Sequence, residues 1–179
     1  MNRRTAIRNV VIFTAGAGLL PSCMGGEEKA SIALKHISLT GAQESMLAEL
    51  AGTIIPKTKD FVGAKDLKAH EFVLTMVDDC SSPEEQQTFI NGMKEFDTAC
   101  KKLHHHTFAE CDPGQRKEWL RVVELKQAVP GDAIIFYETT KRLTIQSFVS
   151  SKEYMTGVRN YKMVPGNHFK GCVPVKQTA

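Results

Sequence analysis

The sequence has no apolar stretch long enough to cross a membrane, because its longest candidate, Val10–Leu20, has only eleven residues. A transmembrane helix needs roughly 20. The stretch follows a basic head that contains the pair Arg3 and Arg4, and it ends in Leu20-Pro21-Ser22-Cys23. A basic head, a short apolar run and a small residue before the cleavage point are the parts of a signal peptide. We therefore predict that residues 1–22 are removed.

Cys23 directly follows the predicted cleavage point, as in bacterial lipoproteins, whose cysteine thiol is acylated and becomes the new N-terminus. The pair Arg3 and Arg4 is typical of a twin-arginine signal, a receptor-read address for the export of folded proteins. Paired arginines also occur in ordinary Sec signals, so both routes remain open. We expect a bacterial periplasmic protein that is anchored to the membrane through lipid on Cys23.

An excess of positive charge is absent from the mature chain. The formal net charge of +3 belongs to the whole sequence, whereas residues 23–179 carry 20 basic and 20 acidic side chains. A nucleic-acid-binding domain shows a basic footprint on its surface. We therefore expect no nucleic-acid partner.

Motifs of common catalytic and cofactor sites are absent as well. The sequence contains no Cys-x-x-Cys-His haem motif and no Gly-x-Ser-x-Gly nucleophile turn. Gly16-Ala17-Gly18 has a dinucleotide-loop spacing, but it lies in the predicted leader and no strand precedes it. His168 is a lone histidine, and the adjacent Asp78 and Asp79 are better explained by helix capping or solvation. From its own residues the chain is predicted not to be an enzyme.

A cluster of three histidines, His104-His105-His106, is the most conspicuous candidate for a metal site. Consecutive helical residues point about 100° apart, so the three side chains cannot all bind one metal ion. Cys100 and His104 share a helix face and Cys111 is close in sequence, but the paired spacings typical of zinc sites are missing. A polar helix end explains the cluster better than a metal site does.

Four cysteines remain when Cys23 is assigned to the lipid, and an even number in an exported protein favours disulfides. Cys100 lies one turn before a predicted helix end and Cys111 just before the next helix, so a short loop can bring them together. Cys80 is then left to pair with Cys172. The alternative is that these cysteines are buried free thiols that act as small apolar side chains.

Capping residues mark three helix starts, at Thr40–Gln43, Ser82–Glu85 and Asp112–Gln115. Apolar residues at helical spacing follow each of them, and the same spacing predicts further helices over about 66–79 and from Asp132. Ser151 can cap one further turn before Gly157. The sequence thus predicts an all-α fold, a small bundle of about five helices.

The two ends of the mature chain are predicted to lie outside this bundle. Residues 23–38 have little apolar content at their start and are expected to be a solvated, lipidated tether. From Asn160 onward, four prolines and glycines forbid a helix, so the C-terminal arm is expected to be irregular. Its aromatic residues Tyr161 and Phe169 are expected to pack on the helical body or in a groove of a partner protein.

Several segments of the chain resemble the gluconate 2-dehydrogenase subunit 3 family. They occur in the expected order over residues 39–175, and they are Leu50-Ala-Gly-Thr-Ile-Ile-Pro-Lys-Thr58, Gly63-Ala64, Phe89-Ile-Asn-Gly-Met93, Phe96-Asp97, Lys141-Arg-Leu-Thr144, Ser150-Ser-Lys-Glu153, Pro165-Gly166 and Gly171-Cys-Val-Pro174. Each segment alone is short, but their common order and spacing make the resemblance specific.

The resemblance implies the small subunit of a membrane-associated, FAD-dependent sugar or polyol dehydrogenase. In such complexes a large flavoprotein of the glucose-methanol-choline type holds the FAD and the catalytic groups, and a cytochrome c often accepts the electrons. The small subunit supports maturation and export of the large one. The resemblance transfers no catalytic residue to this chain. The lipid-attachment sequence at Cys23 departs from many relatives, and it implies that this chain itself is the anchor.

The leading prediction is therefore a non-catalytic accessory subunit with a helical domain over residues 39–175. The competing prediction is a stand-alone periplasmic lipoprotein that binds a small ligand. The two differ in what co-purifies with the chain, since the first requires a flavoprotein partner.

Overall fold

The structure, a computed structural model, describes residues 29–162 and confirms the all-α fold. This part of the chain forms six helices: α1 (Gly41–Ile54), α2 (Ala69–Cys80), α3 (Pro83–His104), α4 (Pro113–Glu124), α5 (Gly131–Ser150) and α6 (Lys152–Gly157). No helix in it is both long and apolar enough to cross a bilayer. The short α6 is the further turn that the sequence placed after Ser151, and the Ser151 hydroxyl accepts the N–H of Tyr154 at 3.2 Å.

The three helix starts predicted from capping residues are confirmed. Each forms a reciprocal capping box, in which the cap side chain accepts an N–H from the third helical residue, whose own side chain accepts the N–H of the cap. The backbone N–H of Gln43, for example, lies 3.2 Å from Thr40 Oγ1. Such caps satisfy N–H groups that a helix leaves free at its first turn.

Helix α5 runs antiparallel to α3 through the middle of the molecule, since Gly92 lies against Asp132 while Glu84 and Arg142 line one groove. The core is built around Phe96 of α3. Its ring lies 5.3 Å from that of Phe108, 5.5 Å from Trp119 and 5.4 Å from Phe136. Such tilted and edge-to-face aromatic pairs add to the stabilisation gained from burying their apolar area.

Helix α2 begins at Ala69, a little later than the predicted start near residue 66. The preceding Lys68 has φ 53° and ψ 38°, a left-handed conformation that a helix cannot continue through. Gly63 begins the turn before it, and a Cβ atom there would lie 2.6 Å from the backbone nitrogen of Lys57. This close approach requires glycine.

The described part of the predicted tether, residues 29–38, is fixed to the helical body. Asp78 accepts the backbone N–H groups of Lys35, His36 and Ile37 at 2.7, 2.8 and 2.9 Å. Because Ile37 and Leu39 are also buried, this stretch belongs to the folded domain.

The expectation that Asp78 and Asp79 are capping or solvated residues is wrong for Asp78, which is buried. Asp79 points outward and pairs with the exposed Lys35 ammonium at 3.1 Å. Burial by itself disfavours the charged form of Asp78, but the three N–H groups outweigh it and hold the pKa of this carboxyl below its usual value. Asp78 is thus an ionised anchor for the N-terminal segment.

Candidate docking surface

Three aromatic rings meet at the C-terminal end of α5. The Phe61 and Phe148 ring centroids lie 5.7 Å apart, and those of Phe148 and Tyr154 lie 5.6 Å apart. The contact forms because α5 ends at Ser150 and the Ser151 cap starts α6, so the chain returns Tyr154 to Phe148. All three rings are half-buried.

Exposed apolar side chains continue this aromatic group in two directions. Ile145 and Val149 are one helical turn apart on α5 and are 42 % and 40 % exposed, while Val158 and Tyr161 after α6 are both 52 % exposed. The backbone N–H of Tyr161 donates to the Met155 carbonyl at 2.8 Å, which holds the end of the described chain against α6. We call the seven residues of this surface the apolar end, and they are Phe61, Ile145, Phe148, Val149, Tyr154, Val158 and Tyr161.

The structure thus places Tyr161, one of the two predicted partner-contact residues, on an exposed apolar surface. Phe169, the other one, lies outside the described residues, as do Arg3, Arg4 and Cys23. The sequence analysis missed Ile145 and Val149. No sequence signal separates these two exposed residues from the buried apolar residues of the same helix.

The predicted disulfide partners Cys100 and Cys111 are neighbours in the core. Both are buried, and their Sγ atoms lie 3.8 Å apart as thiols. Burial raises the pKa of the Cys100 thiol, and the neighbouring Cys111 raises it further. The covalent bond between them remains a prediction. Cys80 is exposed at the end of α2, and its predicted partner Cys172 lies outside the described residues.

The histidine cluster forms the C-terminal end of α3, as expected for a polar helix end. His104 is the last helical residue, and His105 follows in a left-handed conformation with φ 62°. Within residues 29–162, no group of three or more His, Cys, Asp or Glu side chains is placed to hold a metal ion. His168 lies outside this range.

The loop after this cluster is fixed by Arg116 of α4. Its guanidinium donates to the carbonyls of Phe108 and Ala109 at 3.1 and 2.6 Å and pairs with Glu49 of α1. Burial disfavours the charged form of Glu49, but Lys65 and Arg116 outweigh it and hold the pKa of Glu49 below its usual value. These charges serve to join α1, α4 and the loop.

A serine, a glutamate and a histidine also meet near the start of α1, but not as a catalytic group. The Ser31 hydroxyl donates to Glu44 Oε1 at 2.6 Å, and His70 Nε2 lies 3.9 Å from the same oxygen. Burial lowers the pKa of His70, although Glu71 and Glu44 raise it. A nucleophilic serine needs a base that accepts its proton, whereas here the carboxylate stands between the hydroxyl and the imidazole and fixes Ser31 to the body.

A groove of about 470 Å³ lies between α1, α3 and the loop before α4. Met46 and Met93 line it, together with Lys94 and Asp97. Asp97 is engaged in the fold, since it accepts the backbone N–H of Phe108 at 2.8 Å. Glu110 also lines the groove and accepts the backbone N–H and the hydroxyl of Thr107 at 3.0 and 2.7 Å. Met-lined grooves can adapt to small apolar ligands.

The family described as gluconate 2-dehydrogenase subunit 3 matches residues 41–166. The match covers well over half of the chain and includes all six described helices. A comparison with curated proteins and one with solved structures gave no significant match.

Proposed function

Because the chain belongs to the gluconate 2-dehydrogenase subunit 3 family, we propose that it is the non-catalytic small subunit of a periplasmic FAD-dependent sugar or polyol dehydrogenase. The large subunit, a flavoprotein of the glucose-methanol-choline type, holds the FAD and the catalytic groups. A cytochrome c is a possible electron acceptor. The family match over the whole helical body is the observation that carries this proposal.

The apolar end supports a binding role for the body. A soluble helix that packs on one side normally presents polar residues on the other. Helix α5 buries Phe136 and Leu143 on one side and exposes Ile145 and Val149 on another. An apolar surface of this kind is typical of a contact with another protein.

Export and anchoring form the second half of the proposal. Arg3 and Arg4 direct the folded chain, with its bound flavoprotein, to the twin-arginine exporter, and lipid on Cys23 holds the complex at the membrane. A flavoprotein must fold to retain FAD, so an exporter of folded proteins suits this cargo. The small subunit would then provide the address and the anchor for a partner that has neither.

The test is to look for a flavoprotein reading frame beside the gene of this chain and to co-express its product with the full-length chain. We expect a yellow complex that reduces dyes in the presence of a sugar or polyol, while the chain expressed alone is colourless and inactive. Replacing Arg3 and Arg4 together by lysine should trap the flavoprotein inside the cell, since lysine keeps the charge that a Sec signal needs.

Two results would contradict the proposal. Unchanged export of both chains after the lysine replacement would exclude the twin-arginine route. A chain that purifies without a flavoprotein and binds a small molecule in the groove near Met46 and Met93 would instead favour the stand-alone lipoprotein.

A further inference from the structure

We propose that the apolar end is the surface on which the large flavoprotein subunit docks, and that the complementary face of that subunit has an apolar centre and an acidic rim. This inference rests on the proposed function and specifies its contact surface. It names the part of the chain that meets the partner and the chemistry of the surface that it meets.

The apolar end is continuous although three segments of the chain build it. Phe61 comes from the loop between α1 and α2, Ile145 to Val149 from α5, and Tyr154 to Tyr161 from α6 and the residues after it. Gly157 lies under Phe61, where a Cβ atom would be 3.4 Å from Phe61 Cε2. The three segments are therefore packed against one another and present one surface.

The aromatic rings of this surface are held in place before any partner binds. Phe148 lies between Phe61 and Tyr154 and contacts both of them. Binding therefore restricts few additional side-chain rotations, and the side-chain entropy lost on association is small. Tyr and Phe that are held in this way are typical of the centre of protein interfaces.

Basic side chains surround the apolar end. Four exposed cations lie within two sequence positions of a residue of the apolar end and have no ion-pair partner among residues 29–162; they are Lys59, Lys152, Arg159 and Lys162. The acidic residues at the same spacing are Asp60 and Glu153. Opposite charge across an interface accelerates association and excludes wrong partners. An acidic rim on the docking face follows from this excess of cations.

The same charges argue against two other occupants. A second copy of the chain would pair this surface with itself in a two-fold dimer, and the basic rims would then repel each other. The chain's own residues 163–179 follow Lys162 in the sequence, but they contain lysines and no acidic residue. Neither a second copy of the chain nor residues 163–179 therefore provides acidic groups opposite the basic rim.

The first test is Val149→Asp in the full chain, co-expressed with the flavoprotein that the search for a partner reading frame identifies, which carries an affinity tag. We expect at least a tenfold loss of co-captured chain, because a carboxylate would be buried against an apolar centre. The matched control is Leu103→Asp. Leu103 is 48 % exposed and lies on α3 about 16 Å beyond Gly92, away from the end of α5. The control should be captured like the wild type.

The second test addresses the rim. Lys152→Glu combined with Arg159→Glu should lower the salt concentration at which the complex dissociates, whereas Lys152→Arg combined with Arg159→Lys, which keeps both charges, should leave it nearly unchanged. Circular dichroism should show that all variants are folded, since every changed position is exposed.

Several outcomes would overturn the inference. Capture of Val149→Asp at the wild-type level would exclude the apolar end as the docking surface. A dimer of the isolated wild-type chain that Val149→Asp converts to monomer would assign the surface to a second copy. Protection of residues 163–179 from protease that is lost in Val149→Asp without the partner would assign it to the arm. If the wild-type chain itself captures no flavoprotein, the proposed function fails as well, so the two failures are distinguishable.

Discussion

Gly92 of α3 lies so close to Asp132 of α5 that a Cβ atom added to Gly92 would be 2.1 Å from the Asp132 carbonyl oxygen. It would also be 2.8 Å from Phe136 Cβ. The two longest helices of the described chain therefore approach each other at a position where only hydrogen fits, and their contact places α5 with one side in the core.

Gly92→Ala should destabilise the domain for this reason. Alanine gains up to about 1 kcal/mol in helix propensity, but forcing apart two backbones in a packed core typically costs about 1 to 3 kcal/mol or more. We expect a lower urea midpoint, measured by circular dichroism. Gly131→Ala is the control, since nothing lies within 4 Å of its added Cβ atom, and it should be neutral or slightly stabilising.

Asp78→Asn should loosen the N-terminal segment. Asp78 Oδ2 accepts the N–H of Lys35 and Oδ1 accepts those of His36 and Ile37, so the asparagine amide places an NH₂ group against at least one of these donors. A buried donor left without an acceptor costs roughly 1 to 3 kcal/mol. Hydrogen exchange of residues 29–39 should become faster. Asp79→Asn, which removes an exposed ion pair, should change stability little.

The same substitution should remove an acid dependence of stability. The folded-state pKa of Asp78 lies below the ordinary aspartate value of 3.8, so its contribution is fully present above that value and fades as the pH falls through the folded pKa. The difference in stability between wild type and Asp78→Asn should therefore be constant near neutral pH and shrink below about pH 4. A difference that grows on acidification would contradict this sign.

The thiols of Cys100 and Cys111 should be joined in the exported protein. Closing a loop of this length stabilises the fold by about 3 kcal/mol in the loop-entropy model. Because burial raises the pKa of Cys100, the folded thiol is a poor nucleophile, and the bond should form slowly after the folded chain reaches the oxidising periplasm. Mass spectrometry after alkylation in denaturant should show both cysteines protected. Reaction of both with the alkylating reagent would contradict the pairing.

Cys172→Ser tests the predicted link to Cys80. If the two are paired, the substitution should increase proteolysis of residues 160–179 and leave the helical circular dichroism signal unchanged. Non-reducing peptide maps should show one Cys80–Cys172 peptide. Free Cys80 and Cys172 in that map would refute the disulfide. The arm would then be held in place only by packing or by the partner subunit.

Cys23→Ala should release the chain, together with any flavoprotein bound to it, from the membrane fraction. One acyl chain gives only marginal binding, whereas two or more give stable attachment. The mature wild-type protein should carry the corresponding added mass on Cys23. An unmodified Cys23 in the mature protein would refute the lipoprotein prediction.

Local signals in the sequence were sufficient for most helix starts. The capping boxes that begin at Thr40, Ser82 and Asp112 involve residues three positions apart, so the sequence alone reveals them. The start of α2 was less accurate because the left-handed Lys68 has no comparable signature. Lysine seldom adopts the left-handed conformation, so the surrounding turn rather than the preference of the residue imposes it on Lys68.

Long-range contacts were not predictable in the same way. Asp78 anchors residues more than 40 positions earlier in the chain, and two adjacent aspartates at a helix end give no sign of which one is buried. Similarly, the exposed Ile145 and Val149 share α5 with buried apolar residues. Hydrophobicity alone does not distinguish the side of α5 that packs in the core from the side that stays exposed.

The connection between Cys23 and the domain is shortened because residues 30–37 are fixed to the body. The Ala30 N–H donates to the Leu39 carbonyl and Ser31 donates to Glu44, ahead of the Asp78 contacts. A free tether over residues 23–38 would extend up to about 55 Å, whereas the six steps from Cys23 to Lys29 extend at most about 20 Å. If Cys23 carries lipid, the domain and a docked flavoprotein are held within roughly one small-domain diameter of the bilayer. An electron acceptor that diffuses in the membrane would then meet the flavoprotein without leaving the bilayer surface. The rate of electron transfer would depend on the density of both proteins per unit of membrane area.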